Sequence, residues 1–210
     1  MIVLELFAGT RSISKAFEKR GHKTFSIEWS KDFENISLYA DISKVTTKDI
    51  IKLCGGVPDV IWASPDCTTY SIAAISHHRE YNDGVLTPLS EYAKFCDKTN
   101  KHVLNLIQEL KPKYYFIENP RGGFRKMDFV KGLYRYTVTY CQYGDTRMKP
   151  TDIFTNHPNP QFKPMCKNGD SCHVAAPRGS STGTQGLKGS KERAVIPVKL
   201  CDHIAEICET

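Results

Sequence analysis

The 210-residue chain carries 29 Lys and Arg against 23 Asp and Glu, a formal net charge of +6, with 40% hydrophobic and 25% charged residues. That length holds one core of ordinary size plus an excursion, and the mix excludes a fibrous or wholly disordered chain. No apolar run approaches bilayer length, no signal peptide opens the chain, and the eight cysteines lack the spacing of a secreted disulfide framework. A soluble cytoplasmic protein is expected, its thiols buried, catalytic or metal-bound, with a basic excess compatible with a polyanion partner.

Residues 2–7 read as an apolar strand interrupted by Glu5, followed by the turn Ala8-Gly9-Thr10-Arg11. A helix capped by Thr10 or Ser12 then carries Ile13, Ala16 and Phe17 at helical spacing until Gly21. Residues 24–27 form a second strand ending at Glu28-Trp29, about twenty residues after the glycine turn, the layout of a nucleotide-binding βαβ unit whose terminal acid accepts from ribose hydroxyls. Arg11 and Ser12 stand where the dinucleotide signature requires glycine, which argues against NAD and for an adenosine ligand without a pyrophosphate. A short strand ending at residues 39–42 would put Asp41 on the same sheet edge, and a helix over about residues 47–53 leads to the next strand.

Residues 60–63 are a short apolar run between Gly55-Gly56-Val57-Pro58 and Ser64-Pro65, suited to the interior of a parallel sheet. Cys67 falls just past its carboxyl end among Asp66, Thr68, Thr69 and Tyr70, which are not the neighbours of a core cysteine. Residues 72–83, with His77-His78-Arg79, read as a solvated or phosphate-facing loop, and residues 89–110 as a long helix stopped at Lys111-Pro112-Lys113. Residues 114–117 form a buried strand closed by Glu118-Asn119, and a carboxylate there needs a partner or a use. Strands over residues 136–140 and 153–155 flank a turn that offers Arg147 and Lys149 to anionic groups. From Asn156 the composition turns irregular, with Cys166, Cys172 and His173 and then a Gly-, Ser- and Thr-rich basic stretch over residues 178–191. Residues 196–208 read as an amphipathic helix packed back on the sheet.

Taken in order, Leu6-Phe7-Ala8-Gly9, Glu28-Trp29, Asp41-Ile42, Pro65-Asp66-Cys67-Thr68-Thr69-Tyr70-Ser71, Glu118-Asn119 and Ile196-Pro197 resemble the DNA cytosine-5 methyltransferases, as a short phage- or prophage-type member of the kind found in restriction-modification. The resemblance implies a Rossmann-like S-adenosylmethionine-dependent methyltransferase fold with a mostly parallel central sheet and a small irregular insert. The divisions would be a catalytic core over residues 1–155, a reduced target-recognition insert over 156–193 and a C-terminal helix over 194–210.

The same resemblance implies that S-adenosylmethionine lies against Phe7, Ala8, Gly9, Thr10, Glu28, Trp29, Asp41, Ile42 and Pro65. Cys67 would attack carbon 6 of a flipped-out cytosine in double-stranded DNA, Glu118 would hold the ring nitrogen, and Arg147 would bind the base or its phosphate.

Three departures bear on this. Asp66 replaces the usual Pro before the cysteine and would raise the thiol pKa; the Gln-x-Arg-x-Arg element is only echoed by Arg147, Lys149 and Thr151; and the insert is too short for a full recognition domain. Sequence readout would then be minimal, or fall to a homodimer or partner subunit. Within the insert, Cys166-x5-Cys172-His173, with His157 upstream, offers ligands for a structural zinc, against ordinary loop residues. Two other readings stand beside DNA methylation: an RNA cytosine-5 methyltransferase, and a DNA-binding or anti-restriction module with the fold but little turnover.

Overall fold

The computed structural model describes residues 1–175 and 190–210. In chain order its elements are β1 (Ile2–Leu6), α1 (Ser12–Glu18), β2 (Lys23–Glu28), β3 (Leu38–Tyr39), α2 (Thr47–Cys54), β4 (Val60–Ala63), α3 (Ile75–His78), β5 (Arg79–Asn82), β6 (Val85–Pro88), α4 (Glu91–Leu110), β7 (Tyr114–Pro120), β8 (Arg135–Thr139), β9 (Pro150–Thr155), α5 (Ser190–Ala194) and α6 (Val198–Cys208). Most of the basic stretch read at residues 178–191 lies outside the described residues.

One seven-stranded sheet has the order β3-β2-β1-β4-β7-β9-β8, parallel from β3 to β7, with β9 antiparallel to both its neighbours. Successive side chains of a strand point to opposite faces, so β1 and β4 split between two cores. Leu4, Leu6, Ile61 and Ala63 pack with Ile50 of α2 and Val103, Leu106 and Ile107 of α4. Val3, Val60 and Trp62 pack with Ile13 and Phe17 of α1 and Leu200 and Ile204 of α6. Burial on both faces is why these strands are runs of Val, Ile and Leu rather than alternating ones.

Glu5 is the exception within β1, and it has a task. Its buried carboxylate accepts from Ile13 N–H (3.2 Å), Ser14 N–H (2.8 Å) and the Ser14 hydroxyl (2.5 Å), satisfying amides at the start of α1. The expected caps Thr10 and Ser12 bond each other instead, and the N-cap position is Arg11 in a left-handed conformation without a side-chain cap. Burial outweighs these hydrogen bonds and raises the Glu5 pKa to about 6.

Residues 72–83 correct a second expectation. Rather than an open loop they hold α3 and the first strand of an antiparallel hairpin, β5–β6, turned at Asp83-Gly84 with positive φ at both residues. Arg79, read as solvated, is buried and pairs with Asp97 of α4 through two bonds of 2.7 and 3.1 Å. Its Nε and Nη2 donate to the carbonyl (2.8 Å) and hydroxyl (3.0 Å) of Thr69, and its guanidinium lies 4.1 Å over the Tyr70 ring. Tyr70 in turn donates to Asp97 (2.7 Å) and accepts from Asn100 (2.8 Å). This buried network seats the turn that follows Cys67.

Candidate active site

The carboxyl ends of β1, β2, β4 and β7 carry two groups of residues. Toward β2, Phe7 and Gly9 take positive φ, so the chain reverses tightly out of β1 and turns amides toward the sheet edge. Glu28 collects three backbone donors: Gly9 N–H on Oε2 (2.9 Å), and Trp29 and Ser30 N–H on Oε1 (both 2.9 Å). Trp29 is 66% exposed, so it is no core aromatic and offers a face at the mouth. Asp41 accepts from Ser43 N–H (3.0 Å) and its hydroxyl (2.7 Å), which hold its pKa below the usual range against partial burial. Ile42 is buried beneath it. A recess of about 300 Å³ opens beside Gly9, Thr10 and Arg11 under Phe33. The donor set of Glu28, Asp41 and an exposed indole suits a cationic ligand with an adenosine handle.

Toward β7 the groups are drawn inward. Pro65 follows β4 and is buried; its carbonyl accepts from Asn119 Nδ2 (3.0 Å), which ties the Cys67 turn to the tip of β7. Asn119 Oδ1 is buried without a partner among the described residues. Gly122 allows a further close approach: a Cβ there would stand 2.5 Å from the Tyr70 carbonyl oxygen. Glu118, 6% exposed, accepts from Tyr140 Oη at 3.0 Å. Burial raises its pKa, while Lys149, Tyr140 and Ser64 pull it back.

Lys149, 9% exposed, projects into the same space from the turn before β9 and lies 4.6 Å over the Tyr140 ring. Burial lowers its pKa, opposed by Glu118 and Cys67. Cys67 is half-buried, its thiol pushed up to about 11, first by burial and then by Glu118 and Asp66, with Lys149 acting the other way. Thiol, carboxyl and ammonium thus share one electrostatic environment.

Arg147 engages Asp145: its Nε donates to both carboxylate oxygens at 2.9 and 3.1 Å, and its backbone N–H to Oδ1 at 2.8 Å. Lys149, named in the sequence only as one of two cations on that turn, is the buried one, set over the Tyr140 ring beside Glu118. Tyr140, the residue after β8, carries no sequence signal, since nothing local to it distinguishes it from an ordinary core tyrosine. After the insert, α5 spans both groups: Lys191 Nζ donates to the Asp32 carbonyl (3.0 Å) beside the Gly9 recess, and the Arg193 carbonyl accepts from Lys149 Nζ (2.9 Å). Cys166, Cys172 and His173 meet, but with Cys141; His157 lies elsewhere, bonded to the Ile207 carbonyl at 3.0 Å.

The sheet order, parallel from β3 to β7 and closed by an antiparallel β9, is that of a Rossmann-like methyltransferase fold. The fold is shared with a putative DNA modification methyltransferase encoded within an E. coli prophage, with a TM-score of 0.52 and 17% identity over 74% of this chain and 46% of that one. The S. pombe Dnmt2 methyltransferase aligns over 74% of this chain and 48% of its own with a TM-score of 0.48 and 14% identity, so the chain spans about half the length of these solved structures. The sequence profile of the C-5 cytosine-specific DNA methylases matches residues 1–129, and a probable DNA (cytosine-5)-methyltransferase of Frog virus 3 (isolate Goorha) is 27% identical over 99% of this chain and all of its own. The chain belongs to the C-5 cytosine-specific DNA methylase family, whose methyl donor is S-adenosylmethionine.

Proposed function

We propose that this chain methylates carbon 5 of cytosine in double-stranded DNA through a covalent adduct on Cys67. The observation that carries the reading is geometric: Asn119 Nδ2 on the Pro65 carbonyl (3.0 Å) joins the Cys67 turn to the tip of β7, and Tyr140 meets both Glu118 (3.0 Å) and Lys149 (4.6 Å) there. Phe7, Ala8, Gly9, Thr10, Glu28, Trp29, Asp41, Ile42 and Pro65 would hold S-adenosylmethionine, which when bound supplies an electrophilic methyl group. The target ring must leave the duplex stack to reach Cys67.

Cys67 attacks carbon 6 as the thiolate, forming the S–C bond that makes carbon 5 nucleophilic. Glu118, held toward its protonated form by burial, donates to ring nitrogen 3 as negative charge builds there, and Tyr140 fixes the carboxyl through its 3.0 Å hydrogen bond. Lys149 stabilises the thiolate and the developing charge; Arg147, clamped on Asp145, shapes the turn that presents it. A base then takes the carbon 5 proton, the freed electron pair re-forms the 5,6 double bond as Cys67 leaves as the thiolate, and nitrogen 3 returns its proton to Glu118.

Tritium transfer from labelled cofactor to duplex DNA tests this, with Cys67→Ser expected to abolish transfer while keeping cofactor binding. Transfer surviving in the serine variant would overturn the mechanism, and transfer to RNA alone would reassign the substrate.

The high Cys67 pKa favours one second reading, a DNA-binding module with the fold and little turnover; cofactor binding without transfer on any duplex would establish it. Among the described residues no helix is long and apolar enough to cross a membrane. We place the activity inside the cell, where its DNA is, with a second copy or a partner subunit completing sequence readout.

A further inference from the structure

We propose that Cys141, Cys166, Cys172 and His173 form a tetrahedral, structural zinc site that clips residues 156–175 onto the turn between β8 and β9. Three thiols and an imidazole, with no carboxylate among them, are the donor set of a closed zinc site. In such a site, with sulfur about 2.3 Å and nitrogen about 2.0 Å from the ion, ligand atoms lie roughly 3.5–3.8 Å from one another. The four ligand atoms here all lie within 4.8 Å of one another. Four of the six separations are 3.0 Å for Cys141 Sγ to Cys166 Sγ, 3.5 Å for Cys172 Sγ to Cys141 Sγ, and 3.8 and 3.6 Å from His173 Nδ1 to Cys166 Sγ and Cys172 Sγ. The shortest of these is well beyond the roughly 2.0 Å of a disulfide.

The surroundings give the site a reason. Residues 156–175 contain no helix or strand, and apart from His157, Pro160 and Cys166 they are exposed or half-buried. A stretch of that length without a core of its own needs a staple, and a metal supplies one. Its first residues are tied to β7 and α6, and the part that carries the ligands bonds to the end of β8 and the turn after it: Cys166 N–H to Thr139 Oγ1 (3.1 Å), Lys163 N–H to Tyr143 Oη (2.9 Å) and Val174 N–H to the Thr146 carbonyl (2.8 Å). Cys141 also adjoins Tyr140, so the clip would fix the residue that supplies the hydrogen bond to Glu118 and the start of the turn that ends at Lys149. The ligand set differs from the one read in the sequence, since Cys141 replaces His157. Zinc binding here does not depend on the proposed chemistry of Cys67.

The test is metal analysis of the full chain purified without chelator, together with cobalt substitution. We expect about one zinc per chain, and a cobalt form with thiolate-to-cobalt charge-transfer bands and the intense visible absorption of a tetrahedral ion. Cys172→Ser and His173→Ala should weaken zinc binding about 100-fold in competition with a chromophoric chelator, while Cys67→Ser leaves it unchanged. Chelation should also speed proteolysis within residues 156–175. A folded chain with no stoichiometric zinc overturns the proposal, as do an octahedral cobalt spectrum, unchanged affinity in both ligand variants, or a Cys141–Cys166 disulfide found by mass spectrometry of alkylated protein.

Discussion

The two halves of the sheet edge handle charge in opposite ways. On the β2 side Glu28 meets three backbone amides at 2.9 Å and Asp41 meets Ser43; both acids sit at a mouth with Trp29 exposed beside them. On the β7 side Glu118, Lys149 and Cys67 are drawn into the interior, where burial is the leading influence on each and pushes all three toward their neutral forms. The first half is complete as it stands, and the second is poised, its charges restored only when one neighbour compensates another. On the proposed reading the open half binds and the enclosed half reacts: a binding surface can be built from local turns, but reacting groups with shifted pKa values require walls supplied by distant elements.

The walls are the place to break this contrast most severely. Arg79 is fully buried and Asp97 nearly so, and together they hold Thr69 and Tyr70 behind Cys67. Arg79→Met leaves Asp97 buried without its cation and should lower unfolding free energy by about 3–5 kcal/mol, measured by urea denaturation. A loss near 1 kcal/mol or below would mean the pair behaves as a surface ion pair, and the account of a rigid wall would fail.

Next comes the ammonium group. Lys149→Met removes the cation whose charge both draws the Cys67 pKa down and holds Glu118 toward its charged form. Methyl transfer should fall about 10²–10³-fold, with cofactor affinity unchanged in calorimetry. Equal losses in both measurements would show that the halves are not separable. Glu28→Gln is the reciprocal change: one amide oxygen cannot accept from Gly9, Trp29 and Ser30 as two carboxylate oxygens do. Cofactor affinity should weaken about tenfold, with the rate of Cys67 alkylation unaltered.

The same contrast governs what the sequence discloses. Glu28, Asp41 and the Gly9 turn are legible because each follows its strand within a few residues, and the strands announce themselves as apolar runs ended by Gly, Pro or an acid. Cys67 and Glu118 are legible for the same reason. Lys149 is not separable from Arg147 by sequence, because two cations two residues apart differ only in which one the turn aims inward, and a left-handed residue at 149 with an Asp145 clamp on 147 decides it. Arg79 and Cys141 are tertiary facts: their partners Asp97 and Cys166 are distant in the chain, and only packing brings them together. The β5–β6 hairpin does carry a local sign, Asp83-Gly84, but its strands are too polar for an apolar pattern to reveal.

The smallest expected effect sharpens the comparison most, because it asks which influence on Cys67 dominates. With the thiol near 11, about one molecule in a thousand carries the thiolate at pH 8, so alkylation of Cys67 should quicken roughly tenfold per pH unit on approach to that value. Burial ranks above both carboxylates as the cause, so removing one carboxylate can restore only part of the reactivity. Asp66 is exposed and accepts from Thr68 N–H at 2.6 Å, a bond that Asp66→Asn keeps through its amide oxygen. Loss of the negative charge favours the thiolate, so the variant should alkylate about two- to fivefold faster at pH 8, with the gain shrinking as salt screens the pair. Lys149→Met should move the same rate in the opposite direction. If Asp66→Asn instead brought the thiol to an ordinary pKa, the carboxylate rather than the walls would be setting the nucleophile, and the division between an open, locally built half and an enclosed one would have to be redrawn.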